Sequence, residues 1–405
     1  MVETPKRFQA GTHRLVSPEE TVARLRPLLP VMGITRVANV TGLDTIGIPV
    51  VMVCRPNSRS LAVSQGKGLD LACAEASGLM ESVESYHAER ITSPLKLASH
   101  DELRFTHALA DVSALPRSSL GAFHPRLRLM WIEGQDLLRD MPVWVPFELV
   151  HTNYTLPFPP GSGAFLPSSN GLASGNHRLE AISHGLCEVV ERDATSLWLK
   201  RDAEGRRRTR VALETVDDAA CRQVLERYER AGIEVGVWEM TSDVGIAAFF
   251  CAIVDKAQES LRPSCAASGM GCHPARGVAL LRALTEAAQS RLTIIAGSRD
   301  DMDSRLYQNA REAEWPRRLR DWMGEEGPRR SFRDAPDGAG QSLDEDLAWE
   351  LERLRAVGIT EVVVVDLTRP EFQIPVVRVV VPGLEALSTL PGYVPGARAR
   401  GGRWT

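Results

Sequence analysis

The chain has 405 residues, enough for two or three domains or one large one with subdomains, and its 43% hydrophobic and 25% charged residues are those of a soluble globular enzyme. Its 48 Lys and Arg nearly balance 52 Asp and Glu, for a net charge of −4, so no bulk field draws it to nucleic acid or a membrane surface. Seven scattered cysteines read as reduced thiols, the N-terminus has no apolar segment for secretion, and the longest apolar run, Val244 to Val254, is too short to cross a bilayer; a cytoplasmic protein is expected.

In chain order, Ser17-Pro18-Glu19-Glu20 opens a helix with Ser17 as N-cap, and Pro27 and Pro30 stop it near Leu25. Residues 34–56 alternate β-branched residues with Gly and Pro, which predicts two strands joined by a turn at Gly42 to Gly47. A third strand, Ser60 to Val63, leads into SQGKGLD at Ser64 to Asp70. That loop is a candidate phosphate cradle: glycines admit an anion, Lys67 adds charge and the next helix adds its dipole. The GxxxxGK[ST] spacing of a P-loop is absent, and a plain structural connection fits the turn equally well.

The helix that follows, from about Leu71 to Glu89, carries Glu81 and Glu84. Mixed strands and loops fill Leu97 to Val150. Residues 155–170, rich in Pro, Gly and Ser but holding Leu156, Phe158 and Phe165, predict an ordered loop suited to binding. That loop delivers the chain to Gly171–Trp198, where Asn176, Glu180, Glu188 and Glu191 recur at steps of four, eight and three, one stripe of a helix. Its segment GLCEVVER matches GLMESVES at Gly78 to Ser85, so Glu81 and Glu84 take the places of Glu188 and Glu191. Two such helices, meeting, would present hard oxygen ligands suited to magnesium. Taken singly, each also reads as a solvated acidic face.

Val211 to Gly232 reads as a helix, followed by an antiparallel strand pair, a Gly/Ser/Cys segment at Ser264 to Gly271 and a third long helix, Ala275 to Ile295. On that helix Arg282, Glu286 and Gln289 share a polar face, whereas Arg291 lies about 200° round from Gln289. Gly297 ends it. Arg299 to Leu347 is highly charged, with a helix at Trp315 to Met323 and a mobile insertion or lid at Gly324 to Gln341. A charged helix at Leu343 to Ala356, two buried strands and a polar, flexible tail complete the chain.

Taken together, residues 41–69, the Ser77-x3-Glu81-x2-Glu84 helix, GNHRLEAISHGLCEVVERDA, TEAAQSR and FQIPVVRVVVPGLE resemble the YcaO family, closest to its standalone branch paired with a TfuA-type partner. The resemblance covers roughly residues 10 to 300 and a further C-terminal match. It implies an α+β fold of YcaO type, with mixed sheets, long acidic helices and a nucleotide site without a P-loop. The expected layout is one domain with subdomains: a nucleotide- and magnesium-binding core at about 60–300, a charged insertion or lid at 300–345, and C-terminal strands and tail at 346–405.

The resemblance also implies ATP and Mg2+ as cofactors. It assigns nucleotide contacts to Arg14, Lys67, Ser77, Asn176, Glu180, Arg192, Gln289 and Arg291, and magnesium ligation to Glu81, Glu84, Glu180, Glu188 and Glu191. Glu75 and Glu286 are further candidates for the magnesium shell, and no general base is assigned. The implied activity is phosphorylation of a substrate backbone amide oxygen to form a thioamide, with azoline formation as the alternative. Expected partners are a peptide or protein substrate, a TfuA-like protein and a sulfur donor, with a homodimer as candidate assembly. Two departures stand out. Ser85 replaces the arginine that usually ends the first motif, and serine has no bidentate fork for phosphate; it keeps a silent peptide- or partner-binding scaffold in view. The C-terminal LPGYVPGARARGGRWT lacks the Pro-x-Pro-x-Pro tail usual among azoline-forming members.

Overall fold

Ser17 caps α1 (Pro18–Leu25) as its spacing predicts: its hydroxyl accepts the Glu20 amide and the Glu20 carboxylate accepts the Ser17 amide, both at 3.3 Å. The computed structural model describes residues 3–256, 265–302 and 314–401. Beyond α1, β1 (Arg36–Asn39), β2 (Val50–Cys54) and β3 (Val63–Lys67) form an antiparallel sheet in sequence order. The third strand thus begins where the expected one ends, and Gln65, Gly66 and Lys67 lie inside it. The reason is packing. A Cβ on Gly66 would lie 2.0 Å from the Ala74 carbonyl oxygen and 2.1 Å from the Gly78 amide of α2 (Leu71–Ala88), so the glycine lets the helix lie on the strand. Asp70 caps α2 by accepting the Cys73 amide at 2.8 Å, so a carboxylate occupies the end where a phosphate was expected. Gly66→Ala is expected to cost about 3 kcal/mol, read by urea denaturation.

A six-stranded sheet takes strands from both halves of the chain. Its path is β4 (Leu95–Ser99), β5 (Arg128–Asp136), β13 (Val363–Asp366), β14 (Val376–Val380) and β7 (Leu172–Ser174), with β6 (Met141–Pro146) also on β5, and every pairing is antiparallel. The short α3 (His100–Leu103) follows β4. Strand β7 occupies the start of the stretch expected to be helical, and α4 runs Arg178–Leu199. Asn176 therefore precedes α4, outside its carboxylate stripe.

After the short α5 (Ala203–Arg207), residues 211–232 divide. Val211–Ala212 forms β8, and α6 (Ala219–Arg230) starts only where Asp218 caps it. The expected strand pair is β9 (Ile233–Glu239) and β10 (Ala248–Asp255), joined by an unexpected third strand, β11 (Ala266–Cys272). The latter had read as a loop because its glycines carry no apolar signal. They are there for α7 (Arg276–Ala296): a Cβ on Gly269 would sit 2.4 Å from both the Ala283 carbonyl and the Ala287 amide.

Part of the expected lid is core. Helix α8 (Glu314–Gly324) buries Leu319 and Met323 against β10 and β11, and Phe332, just after β12 (Arg330–Ser331), packs on Phe249. Residues 303–313 of that stretch lie outside the described residues. Helix α9 (Leu343–Ala356) packs on α4. The expected flexible tail is instead bound: Arg398, on α10 (Ala397–Gly401), grips Asp193 at 2.9 and 3.0 Å and Asp243 at 2.5 Å, while Glu385 accepts the Gly396 and Ala399 amides. Residues 402–405 lie outside the described residues. All seven cysteines are free thiols, and no helix among the described residues is long and apolar enough to cross a membrane.

Candidate active site

Three helix-on-strand units converge. Helix α2 lies on β3 and also meets β7, α4 lies on β14 and β7 and meets β11, and α7 lies on β11 and meets β3. In each acidic helix the shared Gly-Leu pair faces its sheet: Leu79 and Leu186 are fully buried, which turns the following glutamates toward the other helices. The cleft between them collects Glu81 and Glu84 from α2, Glu188, Glu191 and Arg192 from α4, Arg282 and Glu286 from α7, and Lys67 from β3.

The contacts are specific. Lys67 Nζ pairs with Glu286 Oε2 at 2.9 Å, and the other Glu286 oxygen accepts the Met270 amide at 3.2 Å. Arg192 lies 3.6 Å from Glu188 and 3.7 Å from Glu191. Glu84 Oε1 accepts the Ser174 amide and hydroxyl at 2.9 and 2.7 Å. Gln289 donates to the Gln65 carbonyl at 3.3 Å, tying α7 to β3.

Desolvation dominates the electrostatics. Burial pushes Glu81 up to about 7 against Lys67, and Glu84 up to about 8 in spite of Ser174, with Glu81 and Glu188 adding repulsion. It also raises Glu191 to about 7 and lifts Glu188, in both cases against Arg192. Burial acts on Glu286 too, but there Lys67 and then Arg192 outweigh it and hold the carboxyl below its ordinary range. Carboxylates are thus crowded where water screens them only in part, which suits a divalent cation.

Among the described residues no three His, Cys, Asp or Glu close on a point to ligate a metal by themselves. Magnesium does not need that; it takes one or two carboxylates together with phosphate oxygens and water. The donors present are hard oxygens, with cations beside them for phosphate. The residues fit Mg2+ carried by a nucleotide.

Other expected residues have different places. Both Glu180 oxygens are taken by backbone amides, Leu15 on one and Asn176 at 2.8 Å on the other. This buried carboxylate brings Arg14 to the cleft, where burial lowers the guanidinium, with Glu180 opposing and Arg282 reinforcing. The Asn176 amide bonds Thr21 of α1 at 3.0 Å. Ser77 is half-buried one turn before Glu81, and Glu75 lies about 180° round α2 from Glu84. Ser85 bonds the Glu81 carbonyl at 3.2 Å within its helix, and Arg14, Arg192, Arg282 and Arg299 are arginines near the carboxylates.

Arg291 stands apart. It is taken up by Asp44 at 2.9 Å, Asp255 at 3.0 and 3.1 Å and the Cys265 carbonyl at 2.7 Å, a buried structural network away from the carboxylates. Arg291→Ala is expected to cost about 3–5 kcal/mol of stability, measured by urea denaturation, because it strands Asp44 without its partner. Two groups escaped the sequence reading. His184 meets Arg282 at 2.8 Å and is held neutral by burial, then by Arg282. Arg378 is a lone charge in a strand of valines, a signal that was visible.

The sequence from residue 65 to 385 matches the family described as YcaO cyclodehydratase, ATP- and Mg2+-binding. The chain belongs to the YcaO family. A curated relative, an uncharacterised protein in the tfuA 3′ region of Rhizobium leguminosarum bv. trifolii, is 39% identical over 94% of this chain and 91% of its own length. An uncharacterised protein of Methanothermobacter thermautotrophicus is 37% identical over 95% and 98%. Among solved structures, the YcaO from Methanopyrus kandleri bound with AMPPCP and Mg2+ superposes with a TM-score of 0.73 at 25% identity, covering 98% of this chain and all of that one. A heterocyclase in complex with substrate and cofactor has the same fold, with a TM-score of 0.77 at 24% identity; this chain is covered to 95% but spans only 54% of that longer one. As a YcaO protein of α+β fold, the chain is an ATP- and Mg2+-binding, amide-activating peptide-modifying enzyme.

Proposed function

We propose that this YcaO protein converts a backbone amide of a peptide substrate into a thioamide. Hydrosulfide adds to the amide carbon and the amide oxygen attacks the γ-phosphorus of ATP, releasing ADP. The carbon–oxygen bond then breaks. The oxygen departs with the phosphoryl group as hydrogen phosphate, which keeps the proton that came with sulfur, and the carbon–sulfur double bond remains. ATP and hydrosulfide are consumed; thioamide, ADP and phosphate balance them.

The chain's own residues do positioning and charge work. Glu81, Glu84, Glu188 and Glu191 would hold magnesium, which when bound screens the phosphate charge. Arg14, Lys67, Arg192 and Arg282 line the same cleft with cations for phosphate oxygens. Ser77 and Gln289 are further nucleotide contacts, Glu286 orients Lys67, and Glu180 holds Arg14 in place.

The observation that carries thioamide formation beyond amide activation is the relative in the tfuA 3′ region, alike over nearly the whole chain. A TfuA-like protein and a sulfur donor are the partners this reading calls for. Cyclodehydration is the second reading, favoured by the family's description and by the fold shared with a heterocyclase. Mass spectrometry of peptide treated with ATP, Mg2+ and sulfide decides between them. A gain equal to the difference between sulfur and oxygen supports the thioamide, and loss of one water supports the azoline. Absence of any peptide-stimulated ATP hydrolysis would sink both.

A further inference from the structure

Arg378 lies within β14 with valine on either side, and its side chain is 2% exposed. Its Nη2 donates to the Ser168 carbonyl at 2.7 Å, but Nε and Nη1 are buried without a partner, as is Asn170 Oδ1. Arg378 and Asn170 line a cavity of about 30 Å3 whose wall also includes Val189, Leu384 and Glu385. Glu385 is committed elsewhere: it accepts the Gly396 and Ala399 amides, each at 2.8 Å, and the Tyr393 hydroxyl at 2.7 Å. Desolvation lowers the guanidinium to about 10, opposed by Tyr154 and then Glu188.

An unpaired guanidinium in an apolar setting is costly and calls for a counter-ion. The cavity has room for water-sized species. Two free donor nitrogens and one free acceptor belong to residues of its lining. A water could satisfy that geometry without cancelling the charge; a small monovalent anion carrying one proton does both. Val189 walls the cavity and Glu188, its neighbour on α4, turns to the carboxylate cleft, so the cavity backs onto the reaction site.

We propose that the Arg378–Asn170 cavity binds the hydrosulfide nucleophile, its sulfur accepting from a free N–H of Arg378 and its S–H donating to Asn170 Oδ1. The proposal rests on the thioamide reading, and bromide, a spherical monovalent anion, tests the cavity without turnover. Crystals soaked in sodium bromide are expected to show anomalous scattering beside Arg378 in wild type and none there in Arg378→Met. In steady-state assays Arg378→Met is expected to raise the sulfide KM at least about tenfold, as loss of charge-assisted hydrogen bonds requires, with the ATP KM moving less than about threefold. Asn170→Ala should raise the sulfide KM by a smaller factor.

Bromide in the cavity of an enzyme that makes azolines would uphold an anion site and overturn hydrosulfide as its ligand. Thioamide product with no bromide there and an unchanged sulfide KM in both variants would overturn the cavity and leave the proposed function standing. The wild-type soak needs no variant, so a failure of Arg378→Met to fold does not remove the test.

Discussion

Glu188→Gln is expected to lower peptide-dependent ATP hydrolysis by roughly a thousandfold while leaving thermal stability equal or slightly raised. The carboxylate lies 3.6 Å from Arg192, and its burial is opposed by Arg192, Arg378 and Arg282. Without a cation the protein gains little from that charge, because desolvation and the neighbouring carboxylates offset the arginines. The amide keeps the shape and gives up the anionic oxygen on which magnesium-borne phosphate depends. The assay is phosphate release with saturating peptide, beside a melting curve. Turnover within about threefold of wild type would remove Glu188 from the machinery. A matching fall in melting temperature would mark a structural residue instead.

The metal-free protein is expected to lose stability as pH rises from 6.5 to 8, by roughly 2 kcal/mol. Glu81 and Glu191 titrate near 7 and Glu84 near 8, against ordinary values of 4.5. In this window the folded chain still holds protons that the unfolded chain has lost, so stability falls with pH. From about pH 7.5 downward a second set opposes the first. Burial lowers His87 and His151 to about 4, and His184 and His273 also lie well below their ordinary range, so acid favours the unfolded chain through them. The charged groups that face the three glutamates include Arg14, Lys67, Arg192, Arg282, Arg299, Glu188 and Glu286, and the window already includes their effect. Urea denaturation at several pH values, with chelator, reads the slope. Added Mg2+ and a non-hydrolysable ATP analogue should flatten or reverse it, because binding requires the deprotonated carboxylates. Stability flat or rising across the window without metal would refute the buried carboxylate cluster.

The legible parts were those decided within a few residues. Ser17 and Pro18 start α1, Gly297 in the left-handed region ends α7, and the Gly-Leu-x-Glu echo set both acidic helices and their inward glutamates. Strand β11 was not legible, because its small residues are chosen by the helix above it, not by the strand itself. Nor was the start of α6, where Asp218 was an unread cap. The folded tail depends on Asp193 and Asp243, about two hundred and one hundred and fifty residues away from Arg398 in sequence.

The sequence alone determined the paired acidic helices and their glutamates, because helical period and motif spacing are local properties, and its resemblance to the YcaO family implied the α+β fold and the ATP and magnesium chemistry. Tertiary structure alone decided which cation meets which carboxylate. Lys67 leaves its supposed loop for Glu286 on α7, Glu180 turns to the backbone beside Arg14, and Arg291 closes on Asp44 and Asp255. Each partner comes from a remote segment, and burial, which sets the strength of every such pair, exists only once the sheets and helices have closed on one another.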